Sequence, residues 1–115
     1  MFKKLRTVIY HVGNLEDAKK WYTDIIGIAP YFDEPFYVGF DINGSELGLD
    51  PDMTGVTEGN HAFTYWSVED IETSFNKLVG MNAGIIQPVT GVGGGLKVAV
   101  VNDPWGNAVG LIEGA

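Results

Sequence analysis

A chain of 115 residues with no cysteine, seven basic and fifteen acidic side chains, and a net charge of −8 has room for a small hydrophobic core but offers no disulfide and no thiolate chemistry. Its charge repels phosphate backbones and anionic lipid surfaces, which argues against nucleic acid and membrane partners. No run of about eighteen apolar residues is present, and the opening stretch MFKKLRTVIYHVGN, broken by Arg6 and Thr7, lacks the features of a signal peptide, so a cytoplasmic protein is expected.

In chain order, LRTVIYHV alternates and is rich in β-branched and aromatic residues, the pattern of a strand. Thr7, Ile9 and His11 then share one face, and Val8, Tyr10 and Val12 the other. Asn14 is placed to cap a helix on which Leu15, Ala18, Trp21, Tyr22, Ile25 and Ile26 recur at helical spacing, and Gly27 is placed to end it. Trp21 and Tyr22 are expected in the core. FYVGFDI and SELGLDP read as strands joined at Asn43-Gly44, a strong two-residue hairpin signal. That turn sets Asp41 opposite Glu46. Leu47 and Leu49 can enter a core only if Glu46 and Gly48 point the other way, so Glu46 faces either water or a site.

A loop rich in Gly, Thr and Asp, from Asp52 to Asn60, divides the chain. AFTYWSV is again a strand, with Phe63 and Tyr65 on the open face and Trp66 toward the core. Asp70 can cap a second helix through Ile71, Ser74, Phe75 and Leu78 before Gly80. GIIQPV, LKVAVV and NAVGLIE supply further strands. The glycine-rich TGVGGG has no helix behind it and no GK[ST], so it reads as a mobile loop rather than a phosphate cradle.

The halves repeat. Val12 to Glu16 and Val68 to Glu72 both fit V-x-[ND]-[LI]-E at a strand-to-helix junction. The fold expected is α+β: a single domain, 1–115, with halves of approximately 1–55 and 60–115. Each half is a βαβββ unit whose helix covers one face of a curved mixed sheet, and the uncovered faces form a cup. Several short strands with unpaired edges point to a homodimer.

The segments VGNLEDAKKWYTDIIGI, YWSVEDIE and VNDPWGNAVGLIE resemble the vicinal oxygen chelate superfamily of glyoxalases, bleomycin-resistance proteins and extradiol dioxygenases, over nearly the whole chain. The resemblance implies the cup-shaped fold. It leaves the activity open, because the family hosts isomerases, epimerases, dioxygenases, thiol transferases and metal-free drug-binding proteins. Metal-dependent members carry four ligands, and the match gives their positions to Thr7, Glu46, Phe63 and Gly110. Only Glu46 bears a strong ligand group, so no metal or other cofactor is expected. A shifted register offers an alternative set, His11, Glu46 and His61, for one divalent metal.

The function expected is therefore binding of a small molecule, without metal, in an aromatic and acidic cup. Thr7, Ile9, His11, Asp41, Glu46, Phe63 and Tyr65 would line it, with Trp105 at its rim or over it. Glu46 would be kept ionised by solvent and paired with Asp41, favouring a cationic, planar ligand. The alternative is an enzyme of the lyase, isomerase or dioxygenase type, either metal-dependent through the shifted register or metal-free with Glu46, the candidate catalytic residue, or Asp41 as general base.

Overall fold

The computed structural model describes residues 1–54, 56 and 63–114. They form two compact units, Met1–Glu58 and Gly59–Ala115.

The first unit runs β1 (Thr7–His11), α1 (Leu15–Ile26), β2 (Phe32–Glu34), β3 (Tyr37–Ile42) and β4 (Ser45–Asp50). Its sheet has the order β1-β4-β3-β2, with β1 parallel to β4 and the other pairs antiparallel. Helix α1 starts because Asn14 accepts the Asp17 N–H at 3.1 Å, with Glu16 and Asp17 in a first turn that favours negative charge. It stops at Gly27, left-handed with φ 84°, whose N–H returns to the Thr23 carbonyl. The helix buries Ala18 and Tyr22. The covered side of the sheet comprises Tyr10, Val38, Phe40, Leu47 and Leu49, all buried and kept on one face by the pairings Tyr10↔Leu49, Val38↔Leu49 and Phe40↔Leu47. Burying each of these side chains stabilises by roughly 1.5–3 kcal/mol.

The turn Asn43-Gly44 closes the β3–β4 hairpin with φ values of 52° and 94°, as a two-residue primed turn requires. The Gly44 N–H donates to Asp41 Oδ1 at 2.9 Å. Strand β2 has no counterpart in the sequence reading. Three exposed residues flanked by Pro30 and Pro35 carry no alternation long enough to recognise, and only pairing with β3 makes them a strand.

The second unit repeats the order: β5 (Thr64–Ser67), α2 (Ile71–Gly80), β6 (Gly84–Gly93), β7 (Leu96–Asn102) and β8 (Ala108–Glu113), arranged β5-β8-β7-β6 with β5 parallel to β8. Asp70 caps α2 by accepting from the Thr73 N–H at 3.2 Å. Glu113 of β8 accepts the Ile71 N–H at 2.9 Å, so a carboxylate from the sheet completes the helix start. Gly80 lies inside α2, and the left-handed residue that follows is Asn82, φ 69°.

The TGVGGG segment is not a mobile loop. Thr90 to Gly93 are the end of β6, and left-handed Gly93, Gly94 and Gly95 turn the chain into β7. Pro88 is accommodated because β6 is an edge strand with several register shifts. No helix among the described residues is long and apolar enough to cross a membrane.

Candidate functional site

Because α1 covers one face of the first sheet, side chains of opposite parity stand on the other. The register sets Thr7 beside Glu46 and Glu46 beside Asp41, so the expected carboxylate pair shares a row. The next row holds Ile9, Gly48, Gly39 and Phe32. Two paired glycines leave the middle of the face without side chains, and two tyrosines fill that space. A Cβ on Gly48 would lie 1.9 Å from the Tyr37 hydroxyl, and one on Gly39 would lie 2.8 Å from Glu46 Oε2 and 3.2 Å from the Tyr31 ring. Gly39 also fixes Tyr31 through the backbone, the Tyr31 N–H donating to its carbonyl at 3.0 Å.

The tyrosines converge on Glu46. Tyr31 Oη donates to Glu46 Oε2, Thr7 Oγ1 donates to Oε1 at 3.0 Å, and the Tyr37 hydroxyl lies near enough to the same carboxylate to help hold its charge. Arg6 stands 3.5 Å from Oε1; with its side chain 73% exposed, this ion pair contributes little. Sequence reasoning held Glu46 ionised by solvent. In fact its side chain is only 13% exposed. The Tyr31 hydrogen bond first, then that of Thr7, the Tyr37 hydroxyl and the charge of Arg6, lower its pKa against the opposing effect of burial. Asp41 is exposed and its Oδ1 serves the hairpin turn. The phenols answer in kind: burial first, then the Glu46 charge, pushes Tyr37 up to about 12, and the hydrogen bond to Glu46 raises Tyr31. Both remain donors at neutral pH. Beside this cluster, Arg6, Tyr31, Asp41, Gly44 and Glu46 line an open depression of about 350 Å³.

Ile9 and His11 stand in other rows of the same sheet. Ile9 is exposed in the second row. His11 pairs with Asp50, four residues and roughly 13 Å along the sheet from the Glu46 row, and its Nδ1 lies 2.9 Å from the Asp52 carbonyl oxygen. Phe63, Tyr65 and Trp105 belong to the second unit. Phe63 is 46% and Tyr65 42% exposed, and Tyr65 covers Gly110, where a Cβ would meet its ring at 2.7 Å. Trp105 is half-buried in the turn before β8, its N–H donating to Asp103 at 3.0 Å. Arg6, Tyr31, Tyr37, Gly39 and Gly48 were not foreseen. The signal available was a glycine at the centre of each strand, VGF and LGL, on the parity of Glu46.

As a metal site the donor set does not fit. Of the four positions, Thr7 is hydrogen-bonded to Glu46 and Glu46 to Tyr31, while the side chains of Phe63 and Gly110 have no donor atom for a metal. In the alternative set, His11 and Glu46 do not converge, and His61 lies outside the described residues. Among the described residues no group of three or more His, Asp or Glu side chains is placed to hold an ion.

A family model for the Glyoxalase/Bleomycin resistance protein/Dioxygenase superfamily matches residues 4–111. The chain belongs to this superfamily. A protein of Mycobacterium tuberculosis named "Putative glyoxylase CFP32" is 30% identical, the match covering 82% of this chain and 39% of that protein; the chain thus spans about two-fifths of this relative's length. Among solved structures, a glyoxalase/bleomycin resistance protein/dioxygenase family enzyme from Burkholderia phytofirmans superposes with a TM-score of 0.81 at 15% identity, covering 96% of this chain and 98% of that one. A lactoylglutathione lyase from Agrobacterium tumefaciens gives 0.74 at 17%, covering 96% and 93%. At these identities the superfamily members share the fold, and the fold alone.

The Glu46 network has a pH signature. A carboxylate whose folded pKa lies below its ordinary 4.5 contributes stability that is fully present above the unfolded value and lost as pH falls through the folded one. Urea midpoints of the wild type and Glu46→Gln should differ by a constant amount above about pH 5 and converge below it. Parallel curves down to about pH 3 would show that the donors do not favour the ionised form.

Proposed function

We propose that the chain is a small-molecule-binding protein that works without a bound metal ion and takes the positively charged part of its ligand on the open face of the first sheet, beside Glu46. The observation that carries this is the carboxylate itself: ionised, mostly shielded from water, and set next to an open depression in a chain of net charge −8. An anion so placed raises the local concentration of cations. The same donors make Glu46 a weak base, which favours binding over proton abstraction. The exposed rings of Phe63 and Tyr65 give the second sheet an apolar surface of its own for planar groups. The same reading carries a homodimer, supported by exposed Ile85, Ile86 and Val92 on the edge strand β6, with light scattering as its measure.

Screening cationic aromatic compounds by calorimetry should find binders of about micromolar affinity whose binding weakens roughly tenfold, about 1.4 kcal/mol, when Glu46→Gln removes the negative charge beside the cation. A chelator should leave that binding unchanged. Binders that ignore the substitution would place the site elsewhere, and binding abolished by the chelator would return a metal to the reading.

A further inference from the structure

The segment PYFDEPFY, 30–37, holds four aromatic side chains, of which Tyr31 is 60%, Phe36 65% and Phe32 38% exposed. The core does not need them. Phe32 meets Phe36 at 5.9 Å and Tyr37 at 6.1 Å between ring centroids, with planes inclined at 67° and 61°. These edge contacts fix Phe32, Phe36 and Tyr37 relative to one another, while Tyr31 and Phe36 keep most of their surface open. Tyr31 and Tyr37 stand over the paired glycines, Gly39 and Gly48, and both reach Glu46.

An ionised carboxylate offers about four lone-pair sites. At Glu46 these face Thr7, Tyr31, Tyr37 and Arg6. A primary ammonium group carries three N–H donors that need acceptors, and here it would have to displace donors already bound. A methylated ammonium needs none. It is attracted by the negative faces of aromatic rings, and a phenol that donates to a carboxylate carries more electron density in its ring. Charge from Glu46 would thus reach a bound cation through the Tyr31 ring, with Tyr37 beside it. Glu34, which shares the face of Tyr37 by register, adds a second negative charge.

We infer that Tyr31, Phe32, Phe36 and Tyr37 form a receptor for a tertiary or quaternary alkylammonium group, with Glu46 polarising the tyrosine rings instead of touching the ligand. The inference rests on the cationic-ligand reading above and narrows it to one class of cation. The probes are benzyltrimethylammonium, benzylammonium and benzyl alcohol, titrated by calorimetry into wild type, Tyr31→Leu and Phe36→Leu, with circular dichroism to confirm that each variant is folded. The trimethylammonium compound should bind about threefold or more tighter than benzylammonium and about tenfold tighter than the alcohol. Each substitution should weaken it roughly fivefold, while Tyr31→Phe, which keeps a ring, should lose less. Tighter binding of benzylammonium, or an unchanged affinity in both leucine variants, overturns the alkylammonium receptor and leaves a cation site at Glu46 standing. Equal binding of all three probes overturns both.

Discussion

Asp103→Ala is expected to lower the stability of the chain by about 3 kcal/mol, a fall in melting temperature of roughly 10–15 °C. The carboxylate is 3% exposed and organises the DPWGN turn between β7 and β8. Its Oδ1 accepts the Trp105 and Asn107 N–H groups at 3.0 and 2.8 Å, and its Oδ2 accepts the Asn107 amide at 2.9 Å. The backbone closes the same turn, with the Asp103 N–H donating to Asn107 and the Gly106 N–H to Asp103, while Gly106 takes the left-handed conformation at φ 90°. Alanine removes the acceptor and leaves three donors facing one another. Asp103→Asn keeps one oxygen but turns an N–H toward the Asn107 amide, so about half the loss is expected. Urea denaturation should show the midpoint falling with its slope unchanged. A loss below about 1 kcal/mol would mean that water takes the carboxylate's place.

Both helices were legible in the sequence, because their signals are local. Asn14 and Asp70 announce helix starts by residue type and by the apolar spacing that follows, and Gly27 and Asn43-Gly44 announce their turns by the left-handed conformations they tolerate. Strand β2 was not legible, since Phe32–Glu34 becomes a strand only through its partner. The site was half legible. The turn at Asn43-Gly44 placed Glu46 on the open face opposite Asp41, and the structure keeps that register. What holds the Glu46 charge was not visible: Tyr31 lies fifteen residues away in a segment between helix and strand, and reaches the carboxylate across Gly39, which leaves room for its ring. A side chain's partners across a sheet depend on what its neighbours lack as much as on what they carry.

That dependence makes Gly48 the residue on which the site turns. Its backbone is in an ordinary strand conformation, so alanine is tolerated by the chain. The new methyl group, however, would fall 1.9 Å from the Tyr37 hydroxyl and 2.5 Å from the ring carbon that bears it. The atom in the way is the tip of a side chain that can rotate, so the fold should survive at a cost of about 1–2 kcal/mol. The ring cannot stay. Once it swings off the glycine floor, Glu46 loses a polar neighbour and Tyr37 loses both its burial and its carboxylate neighbour, the causes that hold its pKa near 12. Gly48→Ala should therefore return one tyrosine from about 12 toward the ordinary 10.0 in an ultraviolet titration, and weaken binding of a cationic aromatic ligand about tenfold or more. Gly91→Ala, where a Cβ meets nothing within 4 Å, is the control and should change neither. If Gly48→Ala binds as the wild type does and its tyrosines titrate unchanged, the glycine floor does not position Tyr37, and the ligand is held by some other part of the face.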